Sequence, residues 1–233
     1  MVNYSKNTTR LASLMTAWWR SRESLYALTI FFGLFIDQNG TEWTIKGEYI
    51  VDVVVWAIFA RLYFGAGKKE RIEMITVLAF ATPMELFFSE VWNLYEYREG
   101  LMPLFVPAGH WFLFDLGRRL CRFLSPEKAW WVITPFIPAT IAFFLLDIDT
   151  SGVVLLLVLL GFMKWGSEPS LYAMMAWIAL LMELWGTYLG NWTWAHEIPW
   201  TPLVAWNPPL LCGVFYALGD LLVCKSVKKW YGE

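Results

Sequence analysis

Charge is what this 233-residue chain has least of: 16% of its residues are Asp, Glu, Lys or Arg, against about a quarter in an ordinary soluble domain. With 58% hydrophobic residues and a mean hydropathy of +0.47, too little polar side chain remains to clothe a water-soluble globule. Eighteen Lys and Arg against twenty Asp and Glu give a net charge of −2. That balance excludes a basic nucleic-acid footprint, and the apolar content excludes a disordered chain. Cysteine is scarce too. Cys121, Cys212 and Cys224 contain no CxxC and cannot all pair, which argues against a disulfide framework and a thiolate zinc site. Two histidines, His110 and His196, are too few for a His-rich di-iron centre. Lys164 and Lys225 fall at segment ends, so a mid-membrane lysine for retinal is missing. No metal and no cofactor are expected.

What is present is apolar sequence in long blocks. Runs bounded by charges or turn residues fall at 24–36, 48–64, 72–90, 101–122, 129–147, 152–165, 170–190 and 203–224. A helix crossing the hydrocarbon core needs about 20 residues. The first and sixth runs reach that only with help from Trp18, Trp19, Lys164 and Trp165 at their ends. The expectation is an all-α, polytopic transmembrane helix bundle of eight spans, with seven as the fallback. Residues 1–23 read as an interfacial segment rather than a cleavable signal.

The basic residues test that count independently. Fifteen of the 18 fall on alternate connections: residues 1–23, 65–71, 118–128, Lys164 and the tail 225–233. The opposite connections hold only Lys46 and Arg98, and Arg61 lies inside a run. Basic residues near span ends stay cytoplasmic, so both termini are predicted inside, with 225–233 a basic cytoplasmic tail.

Two segments echo each other 98 positions apart. Met84-Glu85-Leu86 matches Met182-Glu183-Leu184, Ser89 matches Thr187, and Asn93 matches Asn191. Each then passes an aromatic pair, Tyr95/Tyr97 or Trp192/Trp194, into a proline-bearing turn. Four spans separate equivalent points, so the chain divides into two parallel halves, 24–122 and 129–224. Glu85, Ser89 and Asn93, like Glu183, Thr187 and Asn191, are spaced i, i+4, i+8, which is one stripe on one helix face. Lipid cannot satisfy such groups, so both stripes are expected to face the interior or a wet cavity.

An ionisable residue within a span is a functional hypothesis by default, and Glu85 and Glu183 are the candidate catalytic acids. A buried carboxyl kept neutral is what a general acid requires. Trp92, Trp192 and Trp194 adjoin the stripes, where a desolvated indole face holds a cation with about 0.5–2 kcal/mol. Asn93, Asn191 and Thr187 are candidates for admitting water or substrate. His110 follows Pro107-Ala108-Gly109 and is either a site residue or a histidine bonded to a nearby carbonyl. Asp115 is five residues further on, off its helix face, so no His–Asp dyad is expected. Asp52 and Asp220 are expected to pair with basic residues such as Arg61. Glu90, Glu96 and Glu99 are expected on a solvated outer face.

The pattern from Glu183 through Gly186, Thr187, Gly190, Trp192 and Trp194, followed by spaced prolines, resembles the bacterial and archaeal membrane carotenoid hydratases of the bacterioruberin and gamma-carotene type. Pro83-Met84-Glu85-Leu86-Phe87-Phe88 is similar to the P-x-E-x-x-F signature of the small membrane lycopene cyclases. Leu86 departs from that signature, which usually has a second acid or Gln there. The two matches cover about a fifth of the chain. The resemblance implies a cofactor-independent hydratase or cyclase of a prokaryotic plasma membrane, protonating a polyene terminus with Glu85 or Glu183. Its partners would be the lipid bilayer and an apolar isoprenoid substrate. Two other classes fit the same residues: a small proton-coupled carrier, and an accessory subunit whose aromatic outer loops dock into a membrane complex.

Overall fold

A computed structural model of the chain describes residues 21–40 and 42–232. It is mostly helical, and each of the eight apolar runs corresponds to one helix among those residues. These are α1 (Arg22–Asn39), α2 (Gly47–Gly65), α3 (Lys68–Val91), α4 (Val106–Leu120), α5 (Pro126–Leu145), α6 (Ser151–Trp165), α7 (Pro169–Leu189) and α8 (Phe215–Tyr231). Local signals set their ends. The Ser21 side chain accepts from Ser24 N with Glu23 in the first turn, satisfying an otherwise orphaned N–H. Pro126 and Pro169 open α5 and α7, where the missing N–H costs nothing. Gly190 ends α7 at φ +79, in the left-handed region where glycine is at ease.

Proline shapes three further places. In α3, Pro83 removes one rung of the hydrogen-bond ladder, and four residues later the helix widens into a π turn over Phe87–Val91. In α5, the regular helix is broken between Ile133 and Phe136, around Pro135. The third place corrects an expectation. The run 203–224 is not helical throughout: Pro208 and Pro209 hold its first part in an irregular loop, a single 3₁₀ turn follows at Cys212–Val214, and the helix starts only at Phe215. That helix then continues through Lys225, Lys228 and Lys229 to Tyr231. The predicted basic tail is therefore largely the last turns of α8, since Lys is a good helix former. Residues 1–20 of the predicted N-terminal segment lie outside the described residues.

Three helices, α3, α5 and α7, with 24, 20 and 21 residues, are long and apolar enough to cross a membrane. At 1.5 Å per residue they reach about 30–36 Å, the thickness of a bilayer's apolar core. Around the outside, Phe31, Phe32, Val53, Phe64, Leu145, Leu157, Leu181 and Tyr188 are exposed. Inside, α4 and α7 cross so closely that a Cβ on Gly117 would lie 2.2 Å from Met175 Sδ. α3 packs on α4 and α8, α1 on α2, α4 and α7, and α5 and α6 lie against α7. The centre of the molecule is thus α3, α4, α7 and α8, with α1 closing one side.

Two layers of ion pairs flank this core. At one end Arg118 pairs with Glu73 at 3.0 Å and Arg119 with Asp115 at 2.7 Å, while Arg22 pairs with Glu70 and Arg122 with Glu23. At the other, Arg98 pairs with the buried Asp37 at 2.9 Å and Lys46 with Glu99 at 3.0 Å. Asp52 and Asp220 do not pair with Arg61 among the described residues. Arg61 is exposed, whereas Asp220 is buried and accepts from Tyr172 Oη at 3.4 Å. Asp52 and Arg61 are nine residues apart on α2, which puts them on opposite faces of that helix.

Candidate active site

The site is built where α3 and α7 run out. Both helices end in a left-handed residue, Asn93 at φ +56 and Gly190 at φ +79, and both chains then extend into a short strand. β1 (Tyr95–Tyr97) and β2 (Trp192–Trp194) pair antiparallel, Tyr95 opposite Trp194 and Tyr97 opposite Trp192. Backbone bonds from Arg98 N to Asn191 O and from Ala195 N to Leu94 O close the ribbon at either end. Side chains alternate along a strand, so Tyr95, Tyr97, Trp192 and Trp194 share the inner face and Glu96 and Thr193 the outer.

Those four rings hold the two carboxyls. Tyr95 Oη and Tyr97 Oη both donate to Glu85 Oε2, the latter at 2.8 Å. Trp192 Nε1 and Trp194 Nε1 both donate to Glu183 Oε2, at 2.8 and 2.9 Å. Each acid thus receives two aromatic donors, one from each of two strand residues spaced i, i+2. Burial, and secondarily the Glu85 carboxyl beside them, pushes both phenols well above the usual tyrosine range, so they remain O–H donors.

Glu85 has a third partner. His110, at the start of the second turn of α4, places Nε2 3.0 Å from Glu85 Oε1 and Nδ1 2.9 Å from the Val106 carbonyl. A carbonyl only accepts, so Nδ1 carries a hydrogen and the Nε2–Oε1 contact contains one shared proton. No hydrogen bond reaches Glu183 Oε1 among the described residues. The two acids are therefore alike in their aromatic donors at Oε2 and unlike at Oε1.

Glu85, Glu183, His110, Tyr95, Tyr97 and Tyr216 line one cavity of about 150 Å³, and most of its remaining wall is aliphatic or aromatic, including Val51, Val55, Phe80, Phe88 and Phe112. Tyr216 stacks on His110 with ring centroids 5.9 Å apart. A few convergent polar groups in an otherwise apolar pocket is the usual form of a small-ligand site.

The predicted site residues divide into two groups. Glu85, Glu183, His110, Trp192 and Trp194 meet in this cavity. Trp92, Asn93, Asn191 and Thr187 do not line it. Trp92 donates to Pro199 O at 2.7 Å and stacks on Trp200, while Asn93 is exposed. Asn191 is buried but donates to Leu34 O and Asp37 Oδ2, fastening the ribbon to α1. Thr187 Oγ1 bonds back to Glu183 O at 2.8 Å, and Ser89 Oγ to Glu85 O at 2.9 Å. These two hydroxyls close their own helix turns. Asp115 turns elsewhere, to Tyr26 and Arg119.

The register of the two segments also needs correcting. Glu85 and Glu183, and Ser89 and Thr187, are 98 apart, but the inner-face strand residues Tyr95 and Trp192, and the left-handed Asn93 and Gly190, are 97 apart. One extra residue therefore lies between Ser89 and Asn93, where the π turn falls. A π turn is how a helix takes in one residue without losing its path. Asn93 is thus the counterpart of Gly190, not of Asn191. Sequence reasoning missed Tyr95, Tyr97 and Tyr216 as site residues. The i, i+2 spacing of the aromatic pairs was the available signal for the first two, and Tyr216 left none.

Comparison with known protein families, curated proteins and solved structures gives no match.

Proposed function

We propose that this protein is an integral membrane enzyme that acts on an apolar isoprenoid by protonating a terminal double bond, with hydration or ring closure of the cation to follow. The observation that carries the reading is the convergence of Glu85 and Glu183 on one apolar cavity. A carboxylic acid is strong enough to protonate a trisubstituted alkene only where water is excluded and the resulting cation is stabilised in place. Two features of the cavity support the reading: its wall is largely hydrocarbon, and Trp192, Trp194 and Tyr216 are part of its lining, a desolvated aromatic face being worth about 0.5–2 kcal/mol to a cation. The eight helices are read as eight spans in two parallel halves, with both termini cytoplasmic in a prokaryotic plasma membrane. The ion-pair layer around Arg118, Arg119 and Arg122 then lies on the positive-inside face.

The test is the lipid profile of cells that accumulate lycopene and express either the wild type or Glu85→Gln/Glu183→Gln. A hydrated or cyclised polyene formed only with the wild type supports the proposal. An unchanged profile with both would sink it. A proton-coupled carrier is the second reading, favoured by the proton shared between His110 and Glu85. It requires uptake that collapses when the proton gradient is dissipated.

A further inference from the structure

Two acids in one cavity need not do the same work, and their partners differ. Glu85 accepts at Oε2 from two phenols and meets the imidazole at Oε1. Three hydrogen-bonding contacts, one of them to a ring that becomes cationic when it holds the shared proton, favour the carboxylate form. His110 is fixed for that role, because its Nδ1–H is committed to Val106 O and Nε2 alone faces the acid. Giving up the shared proton would leave an imidazole lone pair against a carboxylate at 3.0 Å, so this pair is a poor proton source. Among the described residues Glu183 accepts two indole N–H groups, both on Oε2. Indole N–H donates without titrating, so these bonds orient the acid and supply no proton. Oε1 is the one carboxyl oxygen of the four that no described donor reaches, and it is the place for an acidic O–H.

Resting on the reading above, we infer that the carboxyls divide the cycle: Glu183 gives the proton, and the Glu85–His110 ion pair faces the cation and takes the proton it loses. In the first step the Glu183 O–H bond breaks and a C–H bond forms at the terminal alkene, leaving a carboxylate and a tertiary carbocation. The cation is then attacked by the next double bond of the chain, closing a ring, or by the oxygen of a water molecule. In the ring case a C–H bond beside the new cation breaks, its electrons form the product double bond, and the proton goes to Glu85. In the water case the added O–H₂⁺ gives its proton to Glu85. No electrons are gained or lost overall. The cycle closes when that proton returns to Glu183 across the cavity that both acids line together with Tyr216.

The experiment uses the full chain in lipid nanodiscs, with lycopene as the probe, in D₂O. The wild type is expected to form product carrying one carbon-bound deuterium for each terminus that has reacted. Glu183→Gln is expected to give neither product nor deuterium in the recovered lycopene. Glu85→Gln and His110→Gln keep the acid but lose the acceptor. Their product is expected to fall about 100-fold, within the range for removing a general acid or base, while recovered lycopene gains deuterium as the cation hands its proton back to Glu183. Two independent variants guard against one failing to fold, and each is checked by its melting temperature. Deuterium exchange that survives in Glu183→Gln but vanishes in Glu85→Gln and His110→Gln would reverse the assignment. Equal loss of exchange in all three, with folding intact, would show no division of labour. A wild type inert in both readouts overturns the enzyme reading itself.

Discussion

Replacing Gly186 by Ala gives opposite expectations from the sequence and from the structure. In a helix interior Ala is favoured over Gly by about 1 kcal/mol, so on propensity alone Gly186→Ala stabilises α7. The structure places the outer ring of Trp192 on this glycine: a Cβ would lie 2.1 Å from Cη2, 2.3 Å from Cζ2 and 2.8 Å from Cζ3. Ordinary carbon contact is about 3.5–4.0 Å, so the indole must retreat by about 1.4 Å or more. Its Nε1 bond to Glu183 at 2.8 Å does not survive that displacement. A lost hydrogen bond to a carboxylate costs about 1.5–3 kcal/mol and overpacking about 1–3 kcal/mol. Set against the propensity gain, the net cost is about 1.5–5 kcal/mol. The assay is a double-mutant cycle on melting temperature in detergent. Gly186→Ala alone is expected to lower it by about 5–15 °C. In a Trp192→Phe background, whose shorter ring ends before the clash, the same change is expected to cost nothing or to stabilise. Equal effects of Gly186→Ala in both backgrounds, or a rise in the wild-type background, would refute the contact and with it the claim that this glycine seats the acid's donor.

Three further outcomes follow from the geometry. Asp149 is fully buried and accepts from Ser151 Oγ, Gly152 N and Leu210 N, tying the start of α6 to the Pro208–Pro209 loop. Asp149→Ala leaves those donors unmet and is expected to cost about 2–4 kcal/mol in a urea or thermal titration. Arg98→Ala strands the carboxylate of Asp37, 3% exposed in its side chain, and is expected to cost about 3–5 kcal/mol, while Lys46→Ala, at the solvent-facing pair with Glu99, is expected to leave the melting temperature unchanged. Tyr95→Phe and Tyr97→Phe each remove one donor from Glu85 and keep the ring. Their double variant is expected to lose product about 10–1000-fold in the same lycopene assay, and to lower the melting temperature by about 5–20 °C, since both hydrogen bonds to the Glu85 carboxyl are lost.

The helices were legible because hydropathy and proline report on local chemistry. Each apolar run contains a helix, although 203–224 is helical only from Phe215, and of the two polar stripes only Glu85 and Glu183 reach the cavity. Where the reading failed, the deciding information was tertiary. Trp92 and Asn191 sit beside the acids in sequence, but the end of α3 turns one toward Pro199 and the α1 contact captures the other. The match of Asn93 to Asn191 held a constant offset across a segment whose backbone takes in one extra residue at Phe87–Val91, and no composition signal marks a π turn. His110 and Glu85 are 25 positions apart on different helices, so their pairing depends on how α3 meets α4. Three-residue strands are too short to leave a periodicity, which hid the ribbon that supplies four of the acids' donors.

That ribbon has a mechanical consequence. Tyr95 and Trp194 face each other across it with ring centroids 4.7 Å apart, yet one serves Glu85 and the other Glu183. The strands are joined to each other by backbone bonds and to α1 through Asn191, so they move as one piece. Any shift of the ribbon changes the setting of both acids in the same instant. A guest that lifts it by an ångström loosens four hydrogen bonds together, and a substitution that retunes one carboxyl is felt at the other. The two carboxyls are geared to a single lever, set by three residues of each strand.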